Sequence, residues 1–269
     1  MAGSSAGPRH PGGLSVDVRR LLDDGRVQQV AFWIGLAVLP LATAGLARWA
    51  SIGLGWQPVL AVARATVQLG VVAALLRGVI TVPWTVAAFI ALMLSTASWT
   101  SGGRIARLPH GRRSAALGVV AGAAAALVPA LGLRLVTLDT QHVVALGGIV
   151  VGGAMNAATL SGRRFLHSGA LRREEVEGWL ALGATPVRAN EDIARQSVRE
   201  ALLPNLDQTR ATGLVTLPGA FVGALFGGAG PIAAAEFQLV VLAAIGLAML
   251  VCALVVTAVA SRSPYVIVE

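Results

Sequence analysis

Apolar runs long enough to cross a bilayer recur along almost the whole chain, and no other feature constrains its fold so tightly. A hydrocarbon core of about 30 Å needs about 20 helical residues. Windows of that kind lie near residues 29–48, 58–77, 82–100, 114–133, 142–161, 211–229 and 236–260. The pattern predicts an all-α polytopic membrane protein with about seven transmembrane helices. A soluble domain of the same length does not fit a composition that is 55% hydrophobic and 13% charged.

Charge narrows the chemistry further. All 21 basic residues are Arg, and the absence of Lys rules out both a Walker-type phosphate loop and a Schiff-base enzyme. A net charge of +8 in a soluble protein would suggest nucleic acid. Among membrane spans it reads as Arg-rich cytoplasmic loops, and no nucleic-acid partner is expected. Cys252 is the only cysteine and lies in the last apolar run, so no intrachain disulfide can form.

Three regions follow. Residues 1–28 read as a polar, mobile N-terminal tail, 29–261 as the transmembrane domain, and 262–269 as a C-terminal tail. The first apolar run starts late and is long enough to span, which argues against a cleaved signal peptide. Arg in short loops sets orientation. "SGGRIARLPHGRR" carries four Arg, and the segment from Arg163 to Arg210 carries eight Arg and seven acidic residues, so both are expected in the cytoplasm. Seven spans then place the N-terminus outside, against the pull of the tail's own Arg residues.

The charged segment, residues 162–210, has an internal order. Val176, Trp179, Leu180 and Gly183 fall at i, i+3, i+4 and i+7, so "EEVEGWLALG" forms a short helix with one apolar face. In "GATP", Gly183 suits a left-handed helix end, Thr185 a cap, and Pro186 the first position of a second helix running to about Leu203. A helix, a tight corner and a helix are expected. From pattern alone this is either a docking element or a solvated loop.

Two spans carry small residues at i, i+4 spacing: Gly148, Gly152 and Asn156 in one, and Gly219, Gly223 and Gly227, beside Pro218, in the other. Such stripes serve either close helix packing or a moving surface at a proline kink.

"EGWLALG", with Glu177 six residues before Gly183 and Ile193 ten after it, resembles the motif that permeases of ABC importers present to their ATPase subunits. Gly178 and Trp179 replace that motif's alanines, and Leu203–Pro204 comes later than it would place that pair. A closer likeness spans residues 58–260. "ARATVQL", "GIVVGGAMNA", "LALGATPVRA", "REALLPNLDQTRATGLVTLPG" and "GGAGPIAAAEFQ" resemble, in order and spacing, the FetB-type (YbbM-like) permease family. Its members are associated with iron export and metal stress, and plant relatives with aluminium tolerance. Gly153, Ala220 and Phe221 depart from that family, which has Asn and Met at such places, and this bears on the cargo.

The resemblance implies the permease subunit of an ABC exporter in the plasma membrane, a homodimer energised by a separate ATP-binding subunit that carries ATP–Mg. This chain would bind no cofactor and perform no catalysis itself. Glu177, Trp179, Leu182, Gly183, Ala184, Thr185, Pro186 and Arg188 would form the docking corner. Polar groups inside spans are the candidate cargo path: Arg64 and Gln68, then Met155, Asn156 and Thr159, then Glu236 and Gln238 at the start of the last span. Each has a plainer reading, as a neutralised charge, an interhelical hydrogen bond or a solvated end. A tight metal site would gather His, Cys and carboxylates, and His10, His110, His142 and His167 are scattered. The resemblance alone makes iron or another metal the leading cargo. An anionic solute such as a nucleotide sugar suits Arg64 better, and an ATP-independent carrier would call for intramembrane carboxylates, which this chain lacks.

Overall fold

The structure is a computed structural model that describes residues 25–79 and 83–263. Most of the 1–28 tail, residues 80–82 and the C-terminal residues 264–269 lie outside the described residues. The chain divides into two compact units, 1–77 and 78–269.

The first unit holds α1 (Gly25–Trp49) and most of α2 (Gln57–Val79). Pro40 lies inside α1. One turn away the Thr43 hydroxyl donates to the Leu39 carbonyl at 2.9 Å, a common use of a hydroxyl in an apolar helix.

The second unit is built on four long helices: α3 (Pro83–Arg104), α4 (Gly111–Gly132), α5 (Thr140–Leu171) and α10 (Pro231–Ala260). They pack against one another through small residues. Ala115, Val119 and Ala123 of α4 meet Ala248, Cys252 and Val256 of α10 in a core shared with Val150, Ala154 and Ala157 of α5. Lipid tails are as apolar as leucine, so close van der Waals contact, rather than escape from water, drives such packing. The α4–α10 seam illustrates it, because a Cβ on Gly122 would sit 2.4 Å from the Ala248 carbonyl oxygen. Cys252 ties the third helix in, its thiol donating to the Ala154 carbonyl at 3.1 Å.

Three differences from the sequence reading stand out. Among the described residues six helices, not seven, are long and apolar enough to cross a membrane. The stretch predicted as a span at 211–229 contains only α9 (Gly219–Phe226), eight residues long. At 1.5 Å per residue that is about 12 Å, well short of a bilayer core. Pro218 sets the break: it lacks an N–H to continue a helix and disfavours helical geometry at Leu217.

The second difference concerns the charged segment. Its first helix is α6 (Arg173–Ala181), but the second is split into α7 (Pro186–Ala189) and α8 (Glu191–Ala211). Asn190 leaves helical geometry at ψ 6°, and α8 runs through Pro204 well past Leu203. Ile193, Ser197, Val198 and Ala201 are its buried face. They pack on α5 and α10, and Arg164 of α5 pairs with Glu200 of α8 at 2.9 Å. Third, α10 starts at Pro231, so Glu236 and Gln238 sit in its second turn instead of opening it.

Candidate functional site

Two features of the second unit carry functional chemistry. The first is the corner. Glu174 and Glu175 occupy the first turn of α6, where the helix dipole favours negative charge. Two hydrogen bonds from the Arg172 guanidinium, at 2.7 and 2.6 Å, hold the Glu175 carboxyl below its ordinary range. The helix ends in paired bonds from Ala184 N–H to Trp179 C=O and from Gly183 N–H to Leu180 C=O, both 3.0 Å. This Schellman geometry requires a left-handed residue, and Gly183 supplies it at φ +86°.

Thr185 then caps α7, its hydroxyl oxygen accepting the Arg188 N–H at 3.4 Å, and Pro186 takes the first position. Asn190 closes the turn by donating to the Pro186 carbonyl at 2.9 Å. While Val176 and Ile193 are buried beneath, Leu182 is 83% exposed, Val187 50% and Trp179 46%. Around this apolar tip stand Arg173–Glu177, at 2.7 Å, and Arg188–Glu191. Ala184 is half-buried in the corner itself.

The second feature is a half-open cavity of about 550 Å³ lined by α5, α8, α10 and the end of α3. Gly152, Asn156 and Thr159 line it from α5, and Pro204, Asn205 and Gln208 from α8. Ile245 and Met249 of α10 and Arg104 of α3 complete the polar and apolar walls. The Arg104 guanidinium and the Asn156, Asn205 and Gln208 amides have no side-chain partner among the described residues. All four line the cavity; Arg104, Asn156 and Gln208 are exposed and Asn205 is half-buried.

Of the residues singled out in the sequence, the structure therefore brings Gly152, Asn156 and Thr159 to one cavity. Met155 packs partly against the core instead, and Gly148 faces Met93, whose Cε lies 3.1 Å from the Cβ it would carry. Arg64 and Gln68 are exposed on α2, in the first unit, and Glu236 is exposed on α10. Gln238 is buried and engaged, its side-chain oxygen accepting the Phe221 N–H at 3.2 Å. A Cβ on Gly219 or Gly223 would meet nothing within 4 Å, and one on Gly227 only its own helix. Among the described residues that stripe, next to Pro218, is not a close-packed seam.

The sequence reading missed Arg104, Asn205 and Gln208. Ala201, Pro204, Asn205 and Gln208 fall at i, i+3, i+4 and i+7, a helical face that continues past Leu203, where the sequence reading ends its second helix. Among the described residues no group of three or more His, Cys, Asp or Glu side chains could hold a metal ion.

Comparison with known proteins agrees with a membrane permease. Residues 28–265 match the family described as "Uncharacterised protein family (UPF0014)". The chain is 32% identical over 209 residues, 77% of its length and 73% of the relative's, to the rice "UPF0014 membrane protein STAR2" (Oryza sativa subsp. japonica). It is 29% identical to "Protein ALUMINUM SENSITIVE 3" of Arabidopsis thaliana, over 71% of each chain. To "Probable iron export permease protein FetB" of Escherichia coli it is 27% identical, over 67% of this chain and 70% of the relative. No solved structure matches the chain.

Proposed function

The chain belongs to the UPF0014 family of membrane proteins, and from that premise we propose that it is the permease subunit of an ABC-type exporter. It works as a homodimer in the plasma membrane. The corner at Leu182–Arg188 faces the cytoplasm and docks into a separate ATP-binding subunit, which supplies ATP–Mg and the hydrolysis that a chain without Lys has no phosphate loop to perform.

One observation carries this reading: α8 starts at the corner and ends as a wall of the cavity. From Glu191 to Gln208 the helix axis covers about 26 Å, and Pro204 interrupts its hydrogen bonding within the stretch from Ala201 to Gln208 that lines the cavity. A rigid helix joining a docking surface to a binding space converts a difference in docking between two nucleotide states into a difference in cavity shape. That is what energetic coupling requires. The exposed Trp179, Leu182 and Val187 give the partner an apolar anchor with a charged rim, the usual anatomy of a protein interface.

The leading cargo is iron or another metal, as the name of the Escherichia coli relative suggests. Co-purification of the tagged chain with its ATP-binding subunit tests the coupling. A stable complex is expected, and Leu182→Asp should abolish it while leaving the permease folded. A Leu182→Asp chain that still holds the subunit would remove the corner from the interface.

A further inference from the structure

We propose that the cavity between α5, α8 and α10 receives its cargo as an anion, and accepts a metal ion only inside an anionic chelate. This rests on the permease reading and specifies the substrate of the same site.

The lining decides the sign of the charge. No Asp, Glu, His or Cys contributes to the cavity wall. Hard cations are held mainly by carboxylates, and transition metals by imidazole and thiolate; the amide oxygens of Asn156, Asn205 and Gln208 and the Met249 thioether are neutral donors that do not offset the charge of Arg104. The one formal charge on the wall is Arg104, a cation without an ion-pair partner among the described residues. A bare cation entering here would be repelled by that guanidinium. An oxyanion would find that guanidinium together with the N–H donors of Asn156, Asn205 and Gln208, a set suited to carboxylate or phosphate oxygens.

Size points the same way independently. A bound bare ion needs oxygens within about 2.0–2.6 Å. The cavity holds about 550 Å³, inside the range of about 300–1,000 Å³ typical of small-molecule pockets. Ile245, Met249 and Gly152 supply an apolar floor, against which the carbon skeleton of a chelator can rest. A metal carried in this way brings its own ligands, so the protein needs to recognise only the outer oxygens and the net charge.

The test is equilibrium dialysis of the purified full-length chain in lipid nanodiscs against three probes: ferric citrate, metal-free citrate, and ferrous ion kept reduced without a chelator. Both citrate forms should be retained. Arg104→Gln should weaken that retention on the order of tenfold, the scale of one charge-assisted hydrogen bond. Gln208→Leu should weaken it less, and ferrous ion should pass freely. Unchanged melting of both variants would separate binding from folding. Retention of ferrous ion that is indifferent to Arg104→Gln would overturn the proposal, as would failure to retain either citrate form. The coupling reading fails by a different result, the absence of a complex with the ATP-binding subunit, which is measured without cargo.

Discussion

The side-chain oxygen of Gln238 accepts the backbone N–H of Phe221 at 3.2 Å, so α10 satisfies one of the open donors at the start of α9. The residue is 5% exposed, which makes it a fastener of the short helix. Gln238→Leu leaves the Phe221 N–H without its partner and should cost about 1–3 kcal/mol locally. Hydrogen exchange should quicken at residues 219–226 while the α4–α10 seam stays protected. Gln238→Glu, which keeps an acceptor, should restore protection. Equal exchange in all three proteins would assign the capping no weight.

The α4–α10 seam makes the opposite prediction for two glycines of similar sequence context. A Cβ on Gly122 meets the Ala248 carbonyl at 2.4 Å, whereas one on Gly223 meets nothing within 4 Å. Gly122→Ala should therefore lower stability by about 1–3 kcal/mol through overpacking, and Gly223→Ala should not destabilise. Thermal melting in detergent, followed by fluorescence, separates them. Comparable losses would mean that α9 lies against a surface, such as a second copy, that the single chain does not contain.

These two cases mark what was legible in the sequence. Long apolar windows located α1 to α5 and α10, because span length is set by the bilayer. The corner was readable down to Gly183, Thr185 and Pro186, because caps and left-handed turns depend on local chemistry. Residues 211–229 misled because their hydropathy is that of a span, while Pro218 and the turn before it decide the backbone. Glycine spacing pointed to α9, yet the tight seam uses Gly118 and Gly122 of α4. Spacing alone does not reveal which stripe finds a partner. The cavity's α8 wall was missed because a helix with charges on one face reads as cytosolic until its neighbours are known.

Acid should loosen the start of α5. Burial by itself raises the Asp139 pKa, but hydrogen bonds from the His142 N–H, the Thr137 hydroxyl and the His142 ring outweigh it and bring the carboxyl below its ordinary range. A carboxyl whose folded pKa is depressed stabilises the fold above its unfolded pKa, and that contribution fades as pH falls through the folded value. The cap should therefore hold above about pH 5 and weaken below about pH 4. Its half-exposed side chain limits the effect to the lower end of cap energies, about 0.5 kcal/mol. Hydrogen exchange of the first turn of α5, compared between pH 6 and pH 3.5 in the wild type and Asp139→Ala, checks it. The acid-induced change should vanish in the variant.

Gly183 tests whether the corner's shape, apart from its apolar surface, transmits force. At φ +86° a β-branched residue is strained by about 1–3 kcal/mol, while Asn tolerates the left-handed region far better. Gly183→Val should turn Leu182 and Ala184 away from their present directions, and cargo-stimulated ATP hydrolysis of the reconstituted complex should fall about tenfold or more, since 1.4 kcal/mol is one decade. Gly183→Asn should retain most of it. The surface chemistry of Trp179, Leu182 and Val187 is the same in both variants, so a difference between them reports geometry. Equal stimulation in Val, Asn and wild-type complexes would mean that the partner reshapes the corner on docking, and that the stiffness of α6 to α8 does not carry the signal.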